Sequence, residues 1–313
     1  MKNPFFKNFP DGQFIDHQGH FIPIELTPAA EIKDFSKLFF PYPRSGIKIT
    51  GEDRASFLNG LGPTDLRQFK AGDGTRCLFT NAHGNVIFDT HLAGFEDHLI
   101  LFPEPGEEVK MLAHLEFNAI LEKVAFEDLG EAFELAYIFG NEAGEQPGLS
   151  LENGDGYSVR FAPSELFSQL VKQGFSAVGF SLFEEVRPLY GISRSGVDFG
   201  AHQLPQEAGL EAFMEFQKGC YLGQEPISRV AFRGRLRNRL EKILSGEPLN
   251  SGDKIFVGDN EVGHVTSPSN LKTSQGFYSL AYLATKLAEE PEIELFCGNT
   301  QVQVPRYHTE KPA

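Results

Sequence analysis

The hydrophobic pattern of this 313-residue chain changes character near Leu240, and that change limits the architectures open to it. Upstream, strand and helix periods interleave. Ile47 and Ile49 alternate as in a strand, Gly51 punctuates, and Phe57, Leu58 and Leu61 predict a helix opening at Glu52 and Asp53, whose carboxylates suit a helix N-terminus. Thr75 to Thr80 and Val86 to Asp89 flank Asn81-Ala82-His83-Gly84-Asn85 as two arms of a hairpin, and His98 to Phe102 supplies a third strand. Val109, Leu112, Leu115 and Ala119 then recur at helical spacing. The order repeats loosely, with strands at Glu134 to Phe139 and Tyr157 to Phe161 and a helix over Pro163 to Gln173; the Gly-rich run from Gly140 to Gly156 reads as a surface connection. Downstream, only short strands remain, at Lys254 to Val257, Glu261 to Val265, Phe277 to Leu283 and Ile293 to Phe296, separated by Gly, Asn and Ser. Interleaved elements followed by short strands alone describe an α+β protein with a small C-terminal barrel or sandwich. Residues 1–45, interrupted by Pro10, Pro23, Pro28, Pro41 and Pro43, read as an irregular N-terminal arm.

Charge and cysteine usage exclude several classes. A formal charge of -15 argues against coating nucleic acid or anionic membrane, which needs a clustered excess of Lys and Arg. Cys77, Cys220 and Cys297 form neither a disulfide framework nor a self-contained zinc or cluster site, so no metal site is expected and a reducing cytoplasm fits. No secretory signal and no membrane-spanning apolar run is evident. Thirty phenylalanines without a tryptophan have no functional explanation at this level.

The densest chemistry lies at Lys218-Gly219-Cys220-Tyr221-Leu222-Gly223-Gln224-Glu225. Pro226 suits a first helical position, and Ile227, Val230 and Ala231 recur at helical spacing beyond it. Cys220 would then precede a helix N-terminus, and that positive end, with Lys218 and Arg229, favours the thiolate, the form that acts as nucleophile or metal ligand. The alternative is a buried core cysteine between two permissive glycines. Farther on, Arg233, Arg235, Arg237 and Arg239 alternate with Gly234, Leu236, Asn238 and Leu240. In a strand this would put four guanidinium groups on one face, either a solvated edge or an anion-binding wall.

The octet resembles the K-G-C-Y-x-G-Q-E signature of YgfZ-type folate-binding proteins implicated in iron–sulfur enzyme maturation, relatives of the glycine-cleavage T-protein, an aminomethyltransferase. Ile47 to Asp65, Leu78 to Asp89, Arg187 to Leu210 and Val262 to Ser267 resemble further segments of that superfamily in the same order. The resemblance implies a T-protein-like folate-binding region over 46–240, with approximate subdomains 46–130 and 131–240, and a C-terminal β-barrel over 241–313. It implies tetrahydrofolate or a one-carbon derivative as ligand, and iron–sulfur client or assembly proteins as partners. Glu207, in the segment resembling P-x-E-A-G-L, corresponds to the acid that contacts the pterin, and Asp65 to the acid that approaches the reactive folate nitrogens, although Pro63 and Thr64 depart from the residues usual before it. By charge chemistry alone, Arg229 or an arginine of the alternating tract could receive the folate carboxylates. Cys220 is the distinctive thiol. Two other readings stay open: an aminomethyltransferase that moves a one-carbon unit to tetrahydrofolate, and a non-catalytic interaction module.

Overall fold

The computed structural model describes residues 13–17, 20–27, 37–130, 133–140, 148–154, 156–234, 236–289 and 293–305. They belong to two compact units, Met1–Phe183 with Ala212–Pro226, and Glu184–Glu211 with Ile227–Ala313.

The first unit opens with a hairpin, β1 (Gln13–His17) and β2 (His20–Glu25). Next come β3 (Leu38–Pro41), β4 (Gly46–Thr50), α1 (Arg54–Gly60), β5 (Gly74–Thr80), β6 (Val86–Gly94), β7 (His98–Phe102), α2 (Glu108–Asn118) and β8 (Ala125–Gly130). The remaining elements are β9 (Glu134–Phe139), β10 (Leu149–Gly154), β11 (Tyr157–Ala162), α3 (Leu166–Lys172) and β12 (Ser176–Ala177). They form two five-stranded sheets, ordered β5-β6-β7-β4-β8 and β10-β11-β9-β3-β12. Against the first, Phe57 and Leu58 of α1 and Met111 and Leu115 of α2 pack on Ile47, Ile49, Phe79 and Leu101. Against the second, Leu166, Phe167 and Leu170 of α3 cover Phe39, Ala136 and Ile138. All six residues of β9 are buried, and after Glu134 the strand reads as a continuous run from Leu135 to Phe139. Many of the phenylalanines are core: Phe40 stacks on Phe183 at 4.3 Å, and both rings lie beside Tyr42.

Five sequence expectations change. Within the expected irregular arm, Leu38–Pro41 is a buried strand, while residues 1–12, 18–19 and 28–36 lie outside the described residues. Within the expected surface connection, Leu149–Gly154 pairs with β11 as an edge strand, while 141–147 and 155 lie outside the described residues. Val109, expected to face the core from α2, is exposed, and Met111 replaces it. Glu52 and Asp53 do not serve the first turn of α1: they hold Lys123, through its ammonium and its backbone N–H. The arginine tract is not one strand, because Arg233 ends a helix, the next strand begins only at Asn238, and Arg235 lies outside the described residues.

A buried polar network ties the two sheets of this unit. Arg76 and Asp89 are diagonal neighbours on β5 and β6 and form a two-pronged ion pair at 2.7 and 2.6 Å. Arg44 donates to His91 Nδ1 at 2.8 Å, and a guanidinium can only donate. The proton of His91 therefore sits on Nε2, which gives it to Glu152 of β10 at 2.9 Å. Tyr157 donates to Glu152 as well, while Arg44 and Tyr42 both donate to Glu104. Burial, followed by the Arg44 charge, lowers the His91 pKa and keeps the ring neutral. Burial works against the Glu152 carboxylate, but the His91 hydrogen bond and the Arg76 charge outweigh it and hold its pKa down to about 2.

The second unit carries β13 (Asn238–Ser245), β14 (Lys254–Val257), β15 (Asn260–Lys272), β16 (Phe277–Ala284), β17 (Leu295–Cys297) and β18 (Thr300–Gln303), closed as a barrel in the order β13-β16-β15-β14-β17-β18. Ile243, Ile255, Val265, Ala281, Leu283 and Val302 fill it. The α+β fold with a small C-terminal barrel expected from the sequence is thus present.

Candidate functional site

The motif loop is pinned at both ends to its own unit. At one end the Lys218 ammonium donates to the carbonyls of Gly62, at 2.8 Å, and Thr64. At the other, Leu222 N–H donates to Gly60 O at 2.9 Å and Leu222 O accepts from the Thr80 hydroxyl at 2.6 Å. Gly223 is required where it stands. Its φ is +81°, and a Cβ there would lie 2.3 Å from Asn81 O and 2.7 Å from the Gly84 Cα, so the loop sits directly on the tip of the β5–β6 hairpin. Gly62 is equally constrained, since a Cβ would meet Leu78 O at 1.9 Å. Thr64, buried, accepts the Leu78 N–H at 3.0 Å.

Between these anchors Gly219 and Cys220 are exposed, whereas Lys218 and Tyr221 are buried. Cys77 and Cys297 are buried, so Cys220 is the exposed thiol of the three. Burial drives the Lys218 pKa down to about 8 against the pull of Cys77 and Asp65. Burial pushes the Cys77 thiol up to about 12, despite Lys218 nearby. Cys77 is therefore an inert core thiol. The Lys218 ammonium also faces the Tyr221 ring at 5.2 Å. Gln224 opens a helix that runs to Arg233, so Pro226 is its third residue, still within the first turn, where N–H groups have no intrahelical partner. Glu225 is exposed on that turn.

Asp65 lies just past Thr64 and is engaged: its two oxygens accept the Arg67 Nε and Nη2, each at 2.9 Å, and one also accepts the Arg67 backbone N–H. Those bonds hold its carboxyl below the ordinary range. Lys218, Gly219, Cys220, Tyr221, Gly223, Gln224, Glu225 and Asp65 thus all lie in the first unit. Gly60, Gly62, Thr64, Thr80 and Asn81, which hold the loop, carry no distinctive chemistry in the sequence, and no local signal singled them out.

Glu207 and Arg229 belong to the second unit. Half-buried Glu207 accepts the Leu204 N–H at 2.9 Å through one carboxylate oxygen, and its backbone carbonyl accepts Leu240 N–H at 2.8 Å. This fixes the acid beside the start of β13. Arg229 is exposed on its helix. Of the arginine tract, Arg239 is shared between Glu211 and Glu241, both at 3.5 Å, and Arg237 is exposed. Among the described residues no cluster of three His, Cys, Asp or Glu could hold a metal, and no helix is long and apolar enough to cross a membrane.

The fold is that of the glycine-cleavage T-protein. It superimposes on aminomethyltransferase T of the glycine cleavage system from Bartonella henselae with a TM-score of 0.78, covering 96% of this chain and 94% of that one at 16% identity. In sequence the chain is 27% identical to the mitochondrial aminomethyltransferase of Pisum sativum, over 82% of this chain and 75% of the relative. It is 23% identical to the mitochondrial iron–sulfur cluster assembly factor IBA57 homolog of Coccidioides immitis, over 74% of this chain. It spans 64% of the length of that assembly factor, and 64% of a chloroplastic Arabidopsis thaliana protein that it also matches. No family model matches the chain. The chain is thus similar in sequence both to proteins named aminomethyltransferases and to one named an iron–sulfur cluster assembly factor, and it shares the fold of the former.

Proposed function

We propose that this chain is a tetrahydrofolate-binding protein that supports the assembly or repair of iron–sulfur enzymes, with Cys220 as its working thiol. The observation that carries this reading is the motif loop: rigidly held at Lys218, Leu222 and Gly223, it presents Cys220 to solvent while Cys77 and Cys297 are buried. A pinned loop with an exposed thiol suits transfer chemistry better than core packing. The similarity to an iron–sulfur cluster assembly factor points the same way.

The acid expected to meet the pterin fits that role. Glu207 is half-buried and commits one oxygen to Leu204 N–H, which orients the carboxylate and leaves acceptor capacity for the paired N–H donors of a pterin. Arg229, exposed, is the candidate for the benzoyl-glutamate carboxylates. When bound, tetrahydrofolate supplies a reduced pterin able to carry a one-carbon unit. Asp65 is less suited to a catalytic part, because both of its oxygens already bind Arg67. That pairing weighs toward binding over aminomethyl transfer.

Calorimetry with tetrahydrofolate on the parent and on Glu207→Ala and Asp65→Ala tests the folate assignment. Glu207→Ala is expected to weaken binding by about 1–3 kcal/mol, the cost of leaving pterin donors unpaired, and more than Asp65→Ala does. No heat with the parent protein, or equal and negligible effects of both changes, would remove the folate assignment.

A further inference from the structure

Helix α2 turns an apolar stripe outward. Val109, Ala113 and Phe117 are exposed at i, i+4 and i+8, which aligns them along one face over about 12 Å. Ile120 and Leu121 extend the stripe just beyond the cap residue Ala119. Val109, Phe117, Ile120 and Leu121 are 81%, 82%, 81% and 90% exposed, four of the seven strongly exposed large apolar side chains among the described residues.

This is a built surface. The Glu122 carboxylate accepts both the Ile120 and the Leu121 N–H at 3.0 Å, which fixes the turn that displays these side chains. Lys123 N–H donates to Asp53 at 2.8 Å and its ammonium to Glu52 at 2.9 Å, tethering the turn to the start of α1. Asn118 closes the helix by donating to His114 O at 2.8 Å. A contiguous apolar surface held this firmly in water marks a docking site. Its rim is acidic: Lys123 and Glu52 pair with each other, and Asp53, Glu116 and Glu122 then outnumber Lys110. An anionic membrane, or the same face of a second copy, would meet like charge. A basic partner would not.

We propose that the outer face of α2 and the turn Ala119–Lys123 dock a basic segment of a partner protein, with Phe117 and Leu121 as the apolar anchors. The site is independent of the folate reading. The probe is a labelled amphipathic peptide of leucine and lysine, titrated with the full chain by fluorescence anisotropy, beside a leucine–glutamate peptide of the same pattern. Saturable binding of the lysine peptide that weakens with added salt is expected, with no binding of the glutamate peptide. Phe117→Ser with Leu121→Ser should raise Kd at least about ten-fold at unchanged thermal stability, and Glu116→Lys about three-fold or more with the anchors intact. Four results would overturn the proposal: no saturable binding of the lysine peptide, binding indifferent to the double variant, patch-dependent dimers in sedimentation without peptide, or patch-dependent binding to phosphatidylserine vesicles.

Discussion

Two glycines of one motif, Gly219 and Gly223, should respond very unequally to a single methyl group. At Gly219 an added Cβ meets nothing within 4 Å, and the backbone is not left-handed. At Gly223 the φ of +81° costs an L-residue about 1–2 kcal/mol. The added Cβ would also lie 2.3 Å from Asn81 O, so the loop must lift from the hairpin tip. Lifting stretches the Leu222–Gly60 and Thr80–Leu222 hydrogen bonds, each contributing about 1 kcal/mol net. Gly223→Ala should therefore cost about 3 kcal/mol, and Gly219→Ala less than about 0.5 kcal/mol. Urea unfolding followed by far-UV dichroism reads both. A Gly223→Ala protein within about 0.5 kcal/mol of the parent, or a Gly219→Ala protein equally damaged, would refute the claim that the hairpin tip positions this loop.

Two further expectations concern the buried groups. Glu152 has its pKa depressed to about 2, so its contribution to stability is present above the ordinary 4.5 and is lost as pH falls from 4.5 toward 2. His91 acts in the same direction, because below its ordinary 6.5 the unfolded chain takes up a proton that the folded ring resists. Stability should thus fall on acidification, by about 3 kcal/mol through Glu152 alone, and Glu152→Gln should flatten the acid limb of the urea midpoint; an unchanged limb would contradict the network. Separately, iodoacetamide on the native protein should alkylate Cys220 and leave Cys77 and Cys297 unmodified until urea unfolds the chain, as read by peptide mass spectrometry.

What the sequence disclosed follows from how local each signal is. Strands such as Glu134–Phe139 and His98–Phe102 announce themselves by neighbouring residues alone, and so does the octet at Lys218. Val109 misled because it shares the apolar character of Met111 and Leu115, and only the sheet beneath α2 decides which stripe is covered. Leu149–Gly154 was hidden by glycines that shape its ends, while its pairing partner, β11, supplies the strand order. The arginine alternation has period two in sequence, yet a helix end and a strand start divide it. The network of Arg44, Arg76, Asp89, His91, Glu104 and Glu152 joins six positions scattered over three strands and two loops, and no local pattern connects them. The anchors of Lys218 lie more than 150 residues away, so the exposed thiol was legible and the cradle that presents it was not.

The central claim is that Cys220 is the working thiol of a folate-binding protein for iron–sulfur enzymes, and its most direct test is Cys220→Ser introduced into a strain lacking the native gene. Serine keeps approximate size but removes the thiolate, its hydroxyl being far less acidic than a thiol of pKa about 8.5. The measurement is the activity of an iron–sulfur enzyme in that strain, beside the thermal stability and tetrahydrofolate affinity of the purified variant. The account expects lost enzyme activity with stability and affinity nearly intact, since Cys220 is exposed and packs no core. Full rescue by a stable Cys220→Ser protein that also releases ammonia from a lipoyl-bound aminomethyl group would contradict it in favour of aminomethyl transfer.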